Sequence, residues 1–108
     1  MLFLTNARFI DELKAMEALD KREPMRYLYT HIYALFEEKA YRKIDEIIAG
    51  FIEKGFGIQL CVALLTITYS KRDKLDVGLR EKLLVMAKKQ GLSEGFNEAQ
   101  ITKTLAGF

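Results

Sequence analysis

Apolar residues recur at three- and four-residue steps along most of the chain, which is the spacing of helices that bury one face. Asn6 can cap a first helix that runs to about Leu19. The apolar positions of this helix are Phe9, Ile10, Leu13, Met16 and Leu19. The opposite positions are polar or small, so the pattern predicts an amphipathic helix at the start of the chain.

The next two helices are predicted to be joined by a short break. Pro24 suits the first turn of a second helix, which reaches about Glu38. Apolar residues on this helix sweep an arc of about 160°, which is wide enough to contact more than one neighbour. A third helix runs from Tyr41 to about Lys54 and ends at Gly55. Because such connections are short, we expect antiparallel hairpins.

The most apolar segment runs from Ile58 to Tyr69, and its secondary structure is ambiguous from sequence. Its β-branched residues suit a strand. The chain shows no partner strand, however, and apolar residues fall on nearly every side of a helical wheel, which is typical of an enclosed helix. We interpret the segment as a buried central helix, with a strand as the alternative, and the stretch from 70 to 76 as a charged loop.

Two capping signals mark the C-terminal helices. Asp76 can cap a fifth helix that runs to about Gln90, where Gly91 is a natural terminator. Asn97 and Gln100 have the spacing of a capping box at the start of a last helix. The sequence therefore predicts one all-α domain over 1–108, a compact bundle of about six helices arranged as antiparallel hairpins around 58–69.

Composition agrees with a folded chain that needs no metal or disulfide. Half of the 108 residues are hydrophobic and 30% are charged, a balance that excludes disorder. The N-terminus does not resemble a secretory signal, and the longest apolar run, 12 residues, is shorter than the roughly 18 that a membrane span needs. We therefore expect a cytoplasmic protein.

Few residues suggest chemistry. Cys61 and His31 are the one cysteine and the one histidine, so we expect neither a metal site nor a cofactor. Cys61 lies in the most apolar segment, where burial lowers thiol reactivity. Adjacent carboxylates, such as those at 11–12, 37–38 and 45–46, point about 100° apart on a helix and are interpreted as solvated surface. We do not expect an enzyme.

The tyrosines give the first indication of function. Tyr27, His31 and Tyr33 lie on the second helix, and tyrosine is enriched where proteins meet partners. These three residues are the predicted partner-binding site of a non-enzymatic interaction or regulatory module. The alternative is that the rings line the core with their hydroxyls toward solvent. The wide apolar arcs also fit a homo-oligomer interface.

A repeat-like pattern supports the same function. Residues 34–44 read ALFEEKAYRKI, which resembles the middle of a tetratricopeptide-type repeat, where a tyrosine opens the second helix. Gly55 and Gly91 close two successive hairpins and are about 36 residues apart, near the period of such repeats. The resemblance covers 27–55 and implies a helical-hairpin platform for a protein or peptide.

The segment 87–107 resembles a helix-turn-helix DNA-binding motif, which gives an alternative function as a small DNA-binding regulator. In that interpretation 97–107 is the recognition helix, and 94–96 lengthen the turn by about four residues. Residues 71–108 carry eight basic and five acidic side chains, so this part of the chain is positive. The residues that would contact nucleic acid are Lys88, Lys89, Gln100, Thr102, Lys103 and Thr104.

Overall fold

A computed structural model describes residues 5–19 and 22–108 and confirms the all-α class. Over these residues the chain forms six α-helices and no strand. A 3-10 segment, Tyr69–Lys74, connects the fourth helix to the fifth, where we had predicted a charged loop. The helices are α1 (Asn6–Leu19), α2 (Glu23–Glu37), α3 (Tyr41–Lys54), α4 (Ile58–Thr68), α5 (Val77–Ser93) and α6 (Glu98–Leu105).

The ambiguous segment is a helix, α4, and it is the most enclosed element of the described chain. Eight of its 11 residues are buried. The three that are not buried are Gln59, Val62 and Thr66, which lie at three- and four-residue steps and so share one side of the helix. The fold therefore covers α4 on every side except along this strip.

Contacts between side chains give the helix directions. Glu12 contacts Tyr27, and Phe9 contacts His31, so α1 and α2 run antiparallel. Ile58, at the start of α4, lies against Gly91 near the end of α5, so these two helices are also antiparallel. The second of these is one of the two hairpins that Gly55 and Gly91 are predicted to close.

Several predicted helix ends are confirmed. Asp76 Oδ1 accepts hydrogen bonds from the amides of Gly78 and Leu79 at 2.8 and 3.2 Å. Asn97 and Gln100 form a complete capping box at the start of α6. Pro24 lies in the first turn of α2, where its missing amide hydrogen leaves no bond unmade.

Two predicted ends are wrong by a few residues. The hydroxyl of Thr5, not Asn6, caps α1 by accepting from the amide of Arg8 at 3.1 Å. Asn6 is the first residue of α1, and its side chain donates to Glu46 on α3. The fifth helix continues through Gly91 to Ser93.

Gly91 is needed for packing rather than for ending the helix. A Cβ at this position would lie 2.7 Å from Ile58 Cδ1 and 2.9 Å from Ile101 Cδ1, so glycine lets α4 and α6 approach α5. The turn that terminates α5 is made instead at Gly95, whose φ is +96°. There the amide of Phe96 donates to Gly91 O and that of Gly95 donates to Leu92 O, the two bonds of a Schellman motif.

The N-terminus of α4 is capped from a distance. Gly57 precedes the helix and offers no side chain. Glu17 on α1 accepts from the amide of Gly57 at 2.9 Å, and Glu94 after α5 accepts from the amide of Ile58 at 2.8 Å. Two carboxylates thus satisfy amides that no local residue reaches, and they fix α1 and α5 against α4.

In the described ranges, none of the helices combines the length and the apolar character needed to cross a membrane.

Candidate functional site

A groove of about 330 Å³ opens between α2, α4 and α6. Its floor is the strip of α4 that the bundle leaves uncovered, formed by Gln59, Val62 and Thr66. Apolar and aromatic side chains dominate the walls, with a few amides and hydroxyls among them. The walls are Met25, Tyr29, Ile58, Ala63, Phe96, Gln100, Ile101 and Thr104.

One wall of the groove comes from α6, which is eight residues long, and from the turn before it. Ile101 is the buried anchor of α6, and it packs near Gly91 on α5. The turn places Phe96 at the rim with 46% of its surface exposed. The result is a half-open apolar channel with an aromatic ring at its edge.

The structure places Tyr27 and His31 away from this groove. Both lie against α1, where the His31 ring stacks on Phe9 at 4.0 Å and the Tyr27 ring lies 5.0 Å from the same ring. The Tyr27 hydroxyl donates to Glu12 at 2.6 Å. The partners of these two rings are therefore supplied within the bundle, and the Tyr27 hydroxyl bonds to Glu12 rather than pointing to solvent.

Tyr33 lies on another side of α2, so the three predicted residues do not form one patch. It is 54% exposed and stacks with Tyr29, with ring centroids 6.1 Å apart. Since Tyr29 lines the groove, Tyr33 continues the aromatic surface beyond the groove wall. Of the three predicted residues, only Tyr33 stacks with a side chain that lines the groove.

Electrostatics at the α1–α2 contact follow from burial. Burial, together with the bond to Glu12, raises the pKa of Tyr27 to about 12. The same bond lowers the pKa of the Glu12 carboxyl. Burial also lowers the pKa of His31 from its usual 6.5. These groups are held in fixed protonation states at neutral pH, which suits a structural contact.

Cys61 and His31 lie in different surroundings. The thiol of Cys61 is buried, donates to the carbonyl of Phe56 at 3.5 Å, and has its pKa raised to about 12 by burial. A thiol with so high a pKa is protonated at neutral pH, and the protonated form is the weaker nucleophile. Among the described residues no group of three metal-ligating side chains lies together.

The sequence predicts that the adjacent carboxylates are all solvated, but two of them bond to other elements. Glu12 accepts from Tyr27, and Asp45 on α3 accepts from the amide of Asp76 at 2.9 Å. Both are half-buried. Glu12 therefore links α1 to α2, and Asp45 links α3 to the start of α5. Asp11, by contrast, forms a surface ion pair with Lys54 at 3.0 Å.

The predicted nucleic-acid residues fall on two sides of the C-terminal helices. Gln100 and Thr104 line the groove, and the Gln100 side chain is engaged in the capping box. Thr102 and Lys103 are exposed on α6. On α5, Lys88 and Lys89 are exposed, and the Nζ of Lys88 lies 3.9 Å from a carboxylate oxygen of Glu98.

The turn between α5 and α6 is shorter than the sequence indicated. Because α5 continues to Ser93, the connection is 94–97, four residues that include Gly95. Helix-turn-helix motifs use turns of three or four residues that often contain glycine. The lengthened turn expected from sequence is therefore wrong.

A second hollow, of about 560 Å³, lies between α1 and α3. Its lining mixes apolar and polar side chains, and two polar pairs cross it. Lys54 bonds to Asp11, and Asn6 donates to Glu46. These polar side chains of the hollow therefore find their partners within the bundle.

Sequence reasoning missed the floor of the groove. Gln59 and Thr66 interrupt the apolar run of α4 at compatible helical positions, and this was the available signal. Phe96 was visible only as an apolar residue in the turn, because its exposure depends on where α5 ends.

No protein-family model matches this chain, and no curated protein or solved structure resembles it significantly.

Proposed function

We propose that the protein is a non-enzymatic interaction module whose α2–α4–α6 groove binds an apolar helical segment of a partner protein. The observation that supports this most directly is the uncovered strip of α4, since a helix otherwise enclosed keeps one side open beneath apolar walls. An amphipathic helix presents apolar side chains at three- and four-residue steps, which suits a channel between helices.

The rim of the groove has the features of a protein contact. Phe96 and Tyr33 are large aromatic residues left partly exposed beside it. Aromatic rings give most of the binding energy at interfaces because they bury large areas at low entropic cost. Gln100, Thr104 and the Tyr29 hydroxyl add polar groups that fix the orientation of a bound segment.

Selection of displayed peptides of about 20 residues on the folded protein tests this proposal. We expect enriched peptides to carry apolar residues at i, i+3 or i+4, and i+7. Thr66→Glu should weaken their binding at least about tenfold, because a bound apolar face would have to desolvate the carboxylate.

The matched control is Thr102→Glu, which changes an exposed threonine on α6 outside the groove. Its binding should equal that of the wild type, with both variants shown to be folded by circular dichroism. Enrichment of no helical pattern, or equal binding by the two variants, would contradict the proposal. Sedimentation velocity on the same proteins distinguishes self-association through the groove from binding to another protein.

A second function, DNA binding through α5 and α6, is favoured by one observation, the four-residue turn with Gly95. It is tested by fluorescence anisotropy with labelled duplex DNA at about 50 and 200 mM salt. Lys103→Ala should weaken binding and reduce the salt slope by about one. Arg42→Ala, an exposed basic residue on α3, serves as the control. Absence of binding at low salt would exclude this function.

A further inference from the structure

The most unusual polar group in the structure is Arg80 on α5. Only 8% of its surface is exposed. Its Nη1 donates to the backbone oxygen of Phe108 at 2.8 Å, but its Nε and Nη2 are buried and find no hydrogen-bond partner among the described residues. Buried guanidinium groups are otherwise almost always paired, so this one requires an acceptor.

The two unsatisfied nitrogens lie on the same edge of the guanidinium group. Nε–H and the adjacent Nη2–H point in parallel, and this edge receives two oxygens of one carboxylate or phosphate. Phe108 occupies the other end of the group. What Arg80 lacks is therefore a bidentate oxyanion rather than a single acceptor.

A second guanidinium stands nearby. Arg72 lies over the ring of Tyr69 with its Cζ 4.1 Å from the centroid, and the Cζ of Arg80 is 5.8 Å from the same centroid. The Cζ atoms of Arg72 and Arg80 are therefore at most about 10 Å apart, since both distances are measured to the same ring centroid. A phosphate held by two guanidinium groups separates their central carbons by roughly 8 Å, given N–H···O distances near 2.8 Å.

Among the described residues, neither Arg72 nor Arg80 forms an ion pair with an Asp or Glu side chain, and Asp73, the acidic residue beside Arg72 in sequence, lies 3.9 Å from Lys74. Desolvation and the charge of Arg72 lower the pKa of Arg80. Lys71 is exposed on the same 3-10 segment as Arg72 and adds to the positive potential. A dianion at the free edge would satisfy the hydrogen bonds and relieve the repulsion together.

We propose that Arg80 and Arg72 form a binding site for a phosphoryl group, either inorganic phosphate or a small phosphate monoester. The site is separate from the groove and does not depend on its function. Phe108 holds Nη1 through its oxygen, and its ring, 6.0 Å from that of Tyr69, is the group that covers the cluster. Phe108 is half-buried, and the anion reaches the free edge of Arg80 when this ring moves aside.

The test is titration of the isotope-labelled protein with inorganic phosphate, followed by the Nε–H resonance of Arg80 in NMR spectra. We expect a saturable downfield shift, and a weaker response to acetate, which has the same fork geometry and half the charge. Phenyl phosphate in place of inorganic phosphate distinguishes a bound monoester from the free ion by which of the two saturates at lower concentration.

Three variants complete the test. Arg80→Lys retains the charge but lacks the fork, and should abolish saturable binding. Arg72→Gln, at an exposed position that leaves folding intact, should weaken binding roughly tenfold because one charged donor is lost. Lys82→Gln, an exposed charge on α5, should leave it unchanged.

An Arg80 resonance that does not respond to phosphate in the folded wild type would overturn the proposal, as would equal responses to phosphate and acetate. Equal binding by Arg72→Gln and Lys82→Gln would overturn the role of the arginine pair. These outcomes leave the groove proposal unaffected, because its test uses Thr66 and not the cluster.

Discussion

One side of α2 carries Tyr27 and His31 and another carries Met25 and Tyr29, and the two sides differ in what covers them. The first is closed by α1, where Phe9 stacks on His31 and Glu12 accepts from Tyr27. The second lines an open groove whose floor is the uncovered strip of α4. Aromatic residues on a helix therefore indicate a binding surface only where no neighbouring helix satisfies them.

The comparison also shows how a predicted site changes once helices are packed. Tyr27, His31 and Tyr33 were grouped because they share a helix, but positions 31 and 33 point about 160° apart. α1 packs against Tyr27 and His31, and only Tyr33 lies beside the groove.

The largest expected effect comes from removing the ring on which the closed side is built. Phe9 is fully buried, so Phe9→Ala should lower the free energy of unfolding by about 3–5 kcal/mol, measured by urea denaturation. Phe9→Leu keeps more volume and should lose less. In both variants the folded fraction should retain its affinity for groove peptides, and a loss of affinity would show that the two sides are coupled.

Gly91→Ala tests whether the packing behind the groove affects stability and peptide binding. Its methyl would meet Ile58 and Ile101, both of which line the groove. Overpacking costs about 1–3 kcal/mol and the gain in helix propensity returns up to about 1, so we expect a net loss of about 1 kcal/mol. Peptide affinity should fall as well. Gly107→Ala, where a Cβ meets nothing within 4 Å, should change neither quantity.

Tyr27→Phe removes one hydroxyl from the closed side and should have a smaller effect. The bond to Glu12 lowers the pKa of that carboxyl below 4.5, so its stabilisation is present above pH 4.5 and is lost as the pH falls through the lowered value. Urea denaturation should show the variant less stable than the wild type at pH 7, with the difference shrinking in acid. A difference independent of pH would contradict the assignment of this bond.

The smallest effect concerns His31. Burial holds its pKa below 6.5 in the folded state, so the unfolded chain binds more protons between the two values. Stability should therefore be complete above pH 6.5 and decline as the pH falls below it. His31→Gln should lack this dependence. An NMR titration that gave His31 a pKa above 6.5 would show that the ring is not buried against Phe9.

Helix class and several helix ends could be predicted because their causes are local. The capping box of Asn97 and Gln100 spans four residues, and Asp76 caps amides two and three residues away. The cap of α4 could not be predicted in this way. Glu17 lies 40 residues before Gly57 and Glu94 lies 36 residues after Ile58, so only the packed fold brings them together.

Gly91 shows a different limit of sequence reasoning. A glycine near the end of a helical pattern fits both a terminator and a close contact, and the periodicity alone does not separate them. The true terminator, Gly95, lies four residues later. This shift shortened the turn to α6 and exposed Phe96, so one local ambiguity determined the rim of the groove.

The most direct test of the central claim is NMR chemical-shift mapping of the wild-type protein with a peptide selected on its groove. The account predicts that methyl resonances of Ala63, Thr66 and Ile101 shift, while the His31 and Phe9 rings do not. Shifts confined to His31, Phe9 and Tyr27, with Ala63 and Ile101 unchanged, would contradict it and place the binding surface on the side of α2 that faces α1.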